Sequence, residues 1–281
     1  MEIASLFALF REQLLAWGVI LTLVTVFELI NPRERQALRG RLAGAGFWIV
    51  SIALSAILAT LFGAAWRAVG VEPLFALPAL EPVLGHPLAA AIAAGVLAAL
   101  VHDFFFYWYH RVQHRWLWRW HAVHHSVRDL SAVNSYHHLS EGLLSLVLLQ
   151  LPLTLMISEI GPTLPLVTAI LWCHIVWIHS PTRVTLGPLR WVLVDNRFHR
   201  IHHSLEERHF DKNFGAFTTL WDRIFGTCHM PCPDEWPDVG LADVAQPMGL
   251  ADWLNLPARL KSGAFAVPEL GPDAAILARD K

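Results

Sequence analysis

Four stretches of this chain are too long and too apolar to be ordinary core elements of a water-soluble domain. A helix that crosses a bilayer needs about 20 mostly apolar residues. Leu14 to Ile30 falls slightly short of that length and can extend upstream, and Leu42 to Trp66 is the longest candidate. Pro87 to Tyr109 is interrupted only by His102 and Asp103 near its end. Leu143 to Ile178 is long enough for a hairpin, broken near its middle by Gly161-Pro162 and Pro165. The two arms are then short, which favours tilt or partial insertion. Composition agrees: the 281 residues carry 16% charge against 55% hydrophobic, where a typical soluble domain carries about 25% charge. The expected fold class is all-α, a multi-pass transmembrane helical bundle with a cytoplasmic helical cap.

The arginines orient the bundle. Arg33, Arg35, Arg39 and Arg41 lie between the first two spans, whereas only Arg67, beside Glu72 and Glu81, lies between the second and third. The positive-inside rule puts the first of these loops in the cytoplasm. Counting crossings from there, residues 110–142 and 179–281 are cytoplasmic, and Arg111, Arg115, Arg119 and Arg128 agree with that side. The chain divides into N-terminal membrane helices over 1–100, a catalytic region over 101–230 that includes the hairpin 143–178, and a tail over 231–281. The tail is rich in Pro, Asp and Ala and reads as a loosely folded extension. No cleavable signal is expected, since Met1 to Ile30 carries Glu2, Arg11 and Glu12 and has no small-residue cleavage site. A net charge of −2 gives nucleic acid no basic surface to bind. Cys173, Cys228 and Cys232 imply no disulfide framework. Cys228 and Cys232 with His229 lack the second ligand pair of a zinc site, and ordinary loop residues are the better reading.

The chain has far more imidazole than packing requires. Fifteen of its 16 histidines lie between His102 and His229. Eight fall in three clusters: His110 and His114; His121, His124 and His125; His199, His202 and His203. Spacings of three and four place side chains on one helix face. Neutral imidazole is a good ligand for iron, zinc and copper, and two metals with few carboxylates need about eight protein ligands. Apolar surroundings favour such neutral ligands. A continuous helix from 110 to 125 would be about 22 Å long, whereas paired metals sit about 3.5–4 Å apart. The chain must therefore turn between His114 and His121. His86, His174 and His229 read as hydrogen-bonded core or interface residues, and His102 falls about 80° off the ligand face.

The segments HDFFFYWYHRVQH, HAVHHS and HRIHHS, followed by DKNFG and WDRIFGT, resemble the fatty acid hydroxylase and sterol desaturase superfamily of membrane di-iron oxygenases. The resemblance runs from about His102 to Thr227. It implies two iron ions, which zinc can replace in purified samples, and an enzyme that uses O2 and two electrons to hydroxylate or desaturate a C–H bond of a lipid. It implies no catalytic side chains beyond the metal ligands, and a separate electron donor, since no haem, flavin or Fe–S motif is present. It adds His138, from Tyr136–Glu141 matching YxHPxE with Leu139 in the proline position, and His179, from Trp177–Ser180 at the hairpin's end; His137 is the substitute for His138. Asp103, Tyr107, Arg111 and Glu141 are candidates to orient the ligands, with an ion pair of Asp103 to a nearby arginine weighed equally. The expected setting is integral to a membrane, a bacterial inner membrane, with the site on the cytoplasmic side. A metal-binding or transport protein without redox chemistry is the alternative, but it would need ligands midway along several spans. A bis-histidine haem carrier would need isolated facing histidines rather than HxxHH triplets.

Overall fold

The computed structural model describes residues 3–75, 80–156 and 165–260. Among them the secondary structure is helical, with three isolated β-bridges and no strand. Helices α1 (Ile3–Ile30), α2 (Leu38–Val69) and α4 (Pro87–Trp116) are each long and apolar enough to cross a membrane, and the short α3 (Glu81–Leu84) precedes the last of them. Their outward faces carry large exposed apolar side chains, among them Leu15, Leu23, Ile49 and Leu61. No water-soluble surface would present such rows; a lipid-facing one does.

Two shorter helical arms occupy the stretch where a hairpin is expected. The first is α6 (Glu141–Ser145), a π-helical turn over Leu146–Gln150, and α7 (Leu151–Met156). The second is α8 (Pro165–Trp177). The π turn comes just before Pro152, where Leu151 N–H reaches back to the Leu146 carbonyl. Proline cannot donate to the carbonyl four residues back, and the wider turn absorbs that loss. The Gly161-Pro162 break lies outside the described residues. Pro165 opens α8, where a missing N–H costs nothing.

The functional segments gather at one end of this bundle. That end is marked by the C-termini of α1, α4 and α8 and the N-terminus of α2. Glu28, buried near the end of α1, ties three elements together: its Oε2 accepts from Arg41 Nη1 on α2 at 2.7 Å, and its Oε1 accepts from Ala132 N at 2.8 Å. Pro32 and Thr182 form a β-bridge, and Arg183 N donates to Asn31 O at 3.1 Å, so the α1–α2 loop is stitched to the chain leaving α8. Trp48 Nε1 donates to Val133 O at 3.1 Å. Gly44 lets α2 lie against that loop, because a Cβ there would run into Asn134 Oδ1 and the Val133 carbonyl.

The tail departs from expectation over residues 231–260, which are packed rather than loose. Helix α11 (Leu250–Arg259) lies against α5 (Trp118–His125). Trp253, Leu256 and Leu260 join Val239, Leu241, Phe47, Ala122, Val123 and Tyr136 in one buried cluster. Arg119 donates to the Pro257 carbonyl through Nε at 3.1 Å and Nη2 at 2.9 Å. The spacing of Trp253, Leu256 and Leu260 is an amphipathic helix period. It supplies the apolar stripe that the tail's overall composition hides.

Candidate metal centre

The turn required between His114 and His121 is at Leu117, the residue joining α4 to α5. Helix α5 folds back beside the last turns of α4, and residues eleven apart come face to face. His110 Nε2 lies 3.0 Å from His121 Nε2, and His114 Nε2 lies 3.2 Å from His125 Nε2. Helix α9 (Asn196–His202) brings the third cluster in from the other side. It is started by Asp195, whose Oδ1 accepts from Arg197 N and Phe198 N as an N-cap.

Nine histidines form two adjoining nests. His110, His114, His121, His125 and His202 make one; His124, His179, His199 and His203 make the other. Within each nest the nitrogen atoms offered lie within 4.8 Å of one another. The two HxxHH helices are used reciprocally. On α5, His121 and His125 serve the first nest and His124 the second. On α9 and its C-terminal residue, His199 and His203 serve the second nest and His202 the first. Residue i+4 lies about 40° to one side of i around the helix and i+3 about 60° to the other, so one face presents them to two neighbouring points. Each triplet can therefore feed two centres at once, and His125 and His203 stack at the seam with ring centroids 4.6 Å apart.

Two rings in each nest have tautomers fixed by backbone carbonyls. His110 Nδ1 donates to Phe214 O at 2.8 Å, His124 Nδ1 to Tyr136 O at 3.1 Å, His179 Nδ1 to Ile175 O at 3.1 Å and His202 Nδ1 to Lys212 O at 2.8 Å. His114 Nδ1 faces Asp211 Oδ1 at 3.2 Å. A ring that donates through Nδ1 keeps its Nε2 lone pair free for a cation. The Nε2 of His202 is buried with no hydrogen-bond partner, and His199 Nε2 lies 2.9 Å from His179 Nε2. Lone pairs converging in a dry site repel unless a cation lies between them. The donor set fits metal ions on that ground: neutral, nitrogen-only and preorganised.

Burial first, and then neighbouring imidazoles, push His121, His124, His125, His199, His202 and His203 well below the usual histidine value of 6.5. The sign follows from proton uptake. Below about pH 6.5 the unfolded chain binds protons at these positions and the folded chain does not, so the folded state loses ground as pH falls. Protein stripped of metal by a chelator is expected to hold its stability above about pH 6.5 and lose it progressively below. Metal-loaded protein is expected to resist to lower pH, because the metal competes for the same lone pairs. Unfolding midpoints measured from about pH 8 to pH 5 with and without metal check this; coincident profiles would contradict it.

The segment after α9 is a bracket for the first nest. Asp211 and Lys212 hold His114 and His202, and the Phe214 carbonyl holds His110. Asp211 and Asn213 have φ of 55° and 60°, the left-handed region that Asp and Asn tolerate. Asn213 is clamped by its side chain, donating to Phe198 O at 2.8 Å and His229 O at 2.9 Å. Asp222, buried at the start of α10 (Leu220–Ile224), accepts from Phe214 N and Gly215 N, both at 2.8 Å, and from Thr227 Oγ1 at 2.6 Å. Asp222 went unremarked in the sequence, although it is the acid of WDRIFGT. Phe214 presents its ring to His110, His114 and His202.

The remaining candidates fall elsewhere. His138 lies in neither nest: its Nδ1 is bound by Ser140 Oγ at 2.7 Å and Ser140 N at 3.1 Å in a local turn. His137 is the member of that pair at the centre, stacked on His124 with centroids 3.8 Å apart and planes 9° apart. Asp103 touches no nest histidine and, among the described residues, makes no ion pair. Its carboxylate accepts from Ala216 N at 3.0 Å, Phe217 N at 2.9 Å and Thr218 N at 3.0 Å. Arg111 donates to Tyr107 OH at 3.4 Å and lies over the Trp108 ring, so it braces the bracket from outside. Glu141 accepts from Tyr109 OH and Gln113 Nε2, tying α6 to α4. His102 and His174 pack among aromatic rings away from both nests.

Comparison with known proteins follows the same segment. Residues 95–227 match the model of the fatty acid hydroxylase family. The chain is 32% identical over 179 residues to an ornithine lipid hydroxylase of Rhizobium tropici, covering 57% of this chain and 51% of that protein. It is 34% identical over 140 residues to an alkylglycerol monooxygenase of Danio rerio, covering 47% of this chain and 29% of that protein. It is 32% identical over 127 residues to an alkylglycerol monooxygenase of Homo sapiens, covering 44% and 28%. The match thus spans about half of the first relative and under a third of the other two. No solved structure matches.

Proposed function

We propose, for a chain that over residues 95–227 carries the fatty acid hydroxylase pattern, that it is a membrane lipid hydroxylase working with two iron ions. The observation that carries this reading is the pair of adjoining nests, built from buried, neutral imidazoles at one end of a set of membrane-length helices. The first nest would hold one iron through His110, His114, His121, His125 and His202, and the second the other through His124, His179, His199 and His203. When bound, the irons supply activation of O2 for attack on an unactivated C–H bond. The overall balance is lipid–H + O2 + 2e⁻ + 2H⁺ → lipid–OH + H2O, with the electrons coming from a separate donor protein.

The chain's own part is placement and exclusion of water. Val123, Ile201, Phe198 and Tyr136, on or beside the segments that carry the nest histidines, are fully buried. A cavity of about 170 Å³ opens between α2 and α6, lined by Trp48, Ser51, Leu54, Ser55, Ser145 and His137. His137 stacks on His124 of the second nest, so one wall of this cavity is shared with the centre. Its lining of serines, two histidines, Glu141 and apolar side chains suits an amphiphile whose polar part stays near the interface while its chain runs along the helices. The arginine bias of the α1–α2 loop favours the cytoplasmic face for that end. Hydroxylation is favoured over desaturation because the named relatives are hydroxylases and monooxygenases.

The test is expression in a host lacking such activity, growth under ¹⁸O2, and mass spectrometry of the lipid extract. The expected result is a lipid class gaining one labelled oxygen, absent from cells carrying the empty vector. An unchanged lipid profile with metal-loaded protein in the membrane, or oxygen arriving from water, would overturn the reading.

A further inference from the structure

Away from both nests, three ligand-type side chains converge on the far side of the bracket. His209, on a 3₁₀ turn over Glu207–His209, is fully buried, and its Nε2 lies 3.1 Å from Glu235 Oε1. His229 Nε2 lies 3.3 Å from Glu235 Oε2. The atoms these residues offer all lie within 4.8 Å of one another. We propose that His209, His229 and Glu235 form a third metal site, of the kind that takes zinc, whose role is to lock the bracket that orients the first nest.

The donor chemistry is right for zinc and poor for magnesium or calcium: two imidazoles and one carboxylate, with room for a fourth ligand. A water molecule is the fourth ligand such a three-residue zinc site takes. The site is preorganised in the way metal ligands usually are. Ser204 Oγ holds His209 by Nδ1 at 2.9 Å, which aims Nε2 at Glu235. His229 is fixed through its backbone, since its N–H donates to Asn213 Oδ1 at 2.7 Å and its carbonyl accepts from Asn213 Nδ2 at 2.9 Å. Glu235 is placed by the Cys232 N–H on Oε2 at 2.8 Å and by Arg208 Nη2 on Oε1 at 3.0 Å. His229 is partly exposed, which leaves an entry path.

The position gives the site its purpose. His209 lies two residues before Asp211 and three before Lys212, which hold His114 and His202. His229 shares Asn213 with the same segment. A metal bridging His209 to His229 and Glu235 would pin both ends of the loop from which the first nest takes its orientation. The competing account is a hydrogen-bonded triad, with both imidazoles donating to Glu235 and no ion.

Metal stoichiometry separates the two, and it does not depend on what the nests catalyse. Full-length protein in detergent is loaded anaerobically with Co²⁺, exchanged into metal-free buffer, and assayed for cobalt per chain and for visible d–d absorption. The expected count is three for the native chain and two for Glu235→Gln and for His229→Ala, each losing one set of d–d bands. His202→Ala and Glu235→Gln combined should lose two. Should His229→Ala fail to fold, shown by loss of all cobalt, Glu235→Gln decides, because it keeps the side-chain shape. A native count of two, or three cobalt ions retained in Glu235→Gln, would overturn the proposal and leave the hydrogen-bonded triad.

Discussion

On the proposed di-iron hydroxylase reading, His202→Ala is expected to lose one iron per chain and to retain less than about one hundredth of the unsubstituted protein's activity. His202 is the only residue through which α9 reaches the first nest. It is buried, its Nδ1 is committed to the Lys212 carbonyl, and its Nε2 has no hydrogen-bond partner. Changes to groups that merely orient a ligand cost about 10–100-fold, so removal of the ligand itself should lie at or beyond the upper end. His203→Ala is the mirror experiment: it should cost as much activity but empty the second nest, leaving the first loaded. The reciprocal wiring of the two helices makes that contrast possible with neighbouring residues. His138→Ala should leave the iron count at two, since its ring is held by Ser140. Metal analysis of purified membranes together with product measurement checks all three. Native activity in His202→Ala, or loss of iron in His138→Ala, would contradict the assignment.

Asp103→Ala is expected to lower stability by about 4 kcal/mol or more. The carboxylate is buried on α4 and, among the described residues, is the one acceptor for the N–H groups of Ala216, Phe217 and Thr218. Hydrogen bonds to a charged group contribute about 1.5–3 kcal/mol each, and orphaned buried donors cost a similar amount. The sum is less than additive because three consecutive N–H groups share one acceptor. Asp103→Asn should fall between, because its amide keeps one acceptor oxygen but turns a donor toward a donor. For a chain this size a loss of about 4 kcal/mol lowers the thermal midpoint by about 10 °C. Thermal unfolding in detergent, followed by circular dichroism, measures it; an unchanged midpoint in the alanine variant would show that the bracket is held without Asp103.

What could be read in advance divides along a physical line. Features set by local geometry were legible. Long apolar runs gave the spans, and the length of a straight helix forced a turn between His114 and His121, which Leu117 provides. The three clusters and His179 all reach the nests. Features set by how segments meet were not legible. No spacing rule says that His124 leaves its own triplet to join His199 and His203. The choice between His137 and His138 lay in an irregular loop with no period to decide it. Leu139 in place of proline had already weakened the motif that pointed to His138. Asp103 was picked out, but for side-chain partners, whereas its partners are backbone N–H groups contributed from more than a hundred residues away. In the tail, composition outweighed the apolar stripe of α11.

The stitching at the helix ends separates two units that are easily equated. The stretch that is recognisable across relatives, 95–227, is a unit of inheritance. It is not a unit of folding. Its first residue falls inside α4, just over two turns along a membrane-length helix. Glu28, Glu34 and Phe47 lie before it, and Trp236, Trp253 and Glu235 after it. These residues hold Ala132, Arg200, Tyr136 and His209 in place. Two relatives sharing this stretch at 30% identity can thus surround it with different flanking helices, provided each rebuilds the same few anchor points. Grafting such a cassette between chains would succeed or fail on those anchors rather than on the histidines themselves.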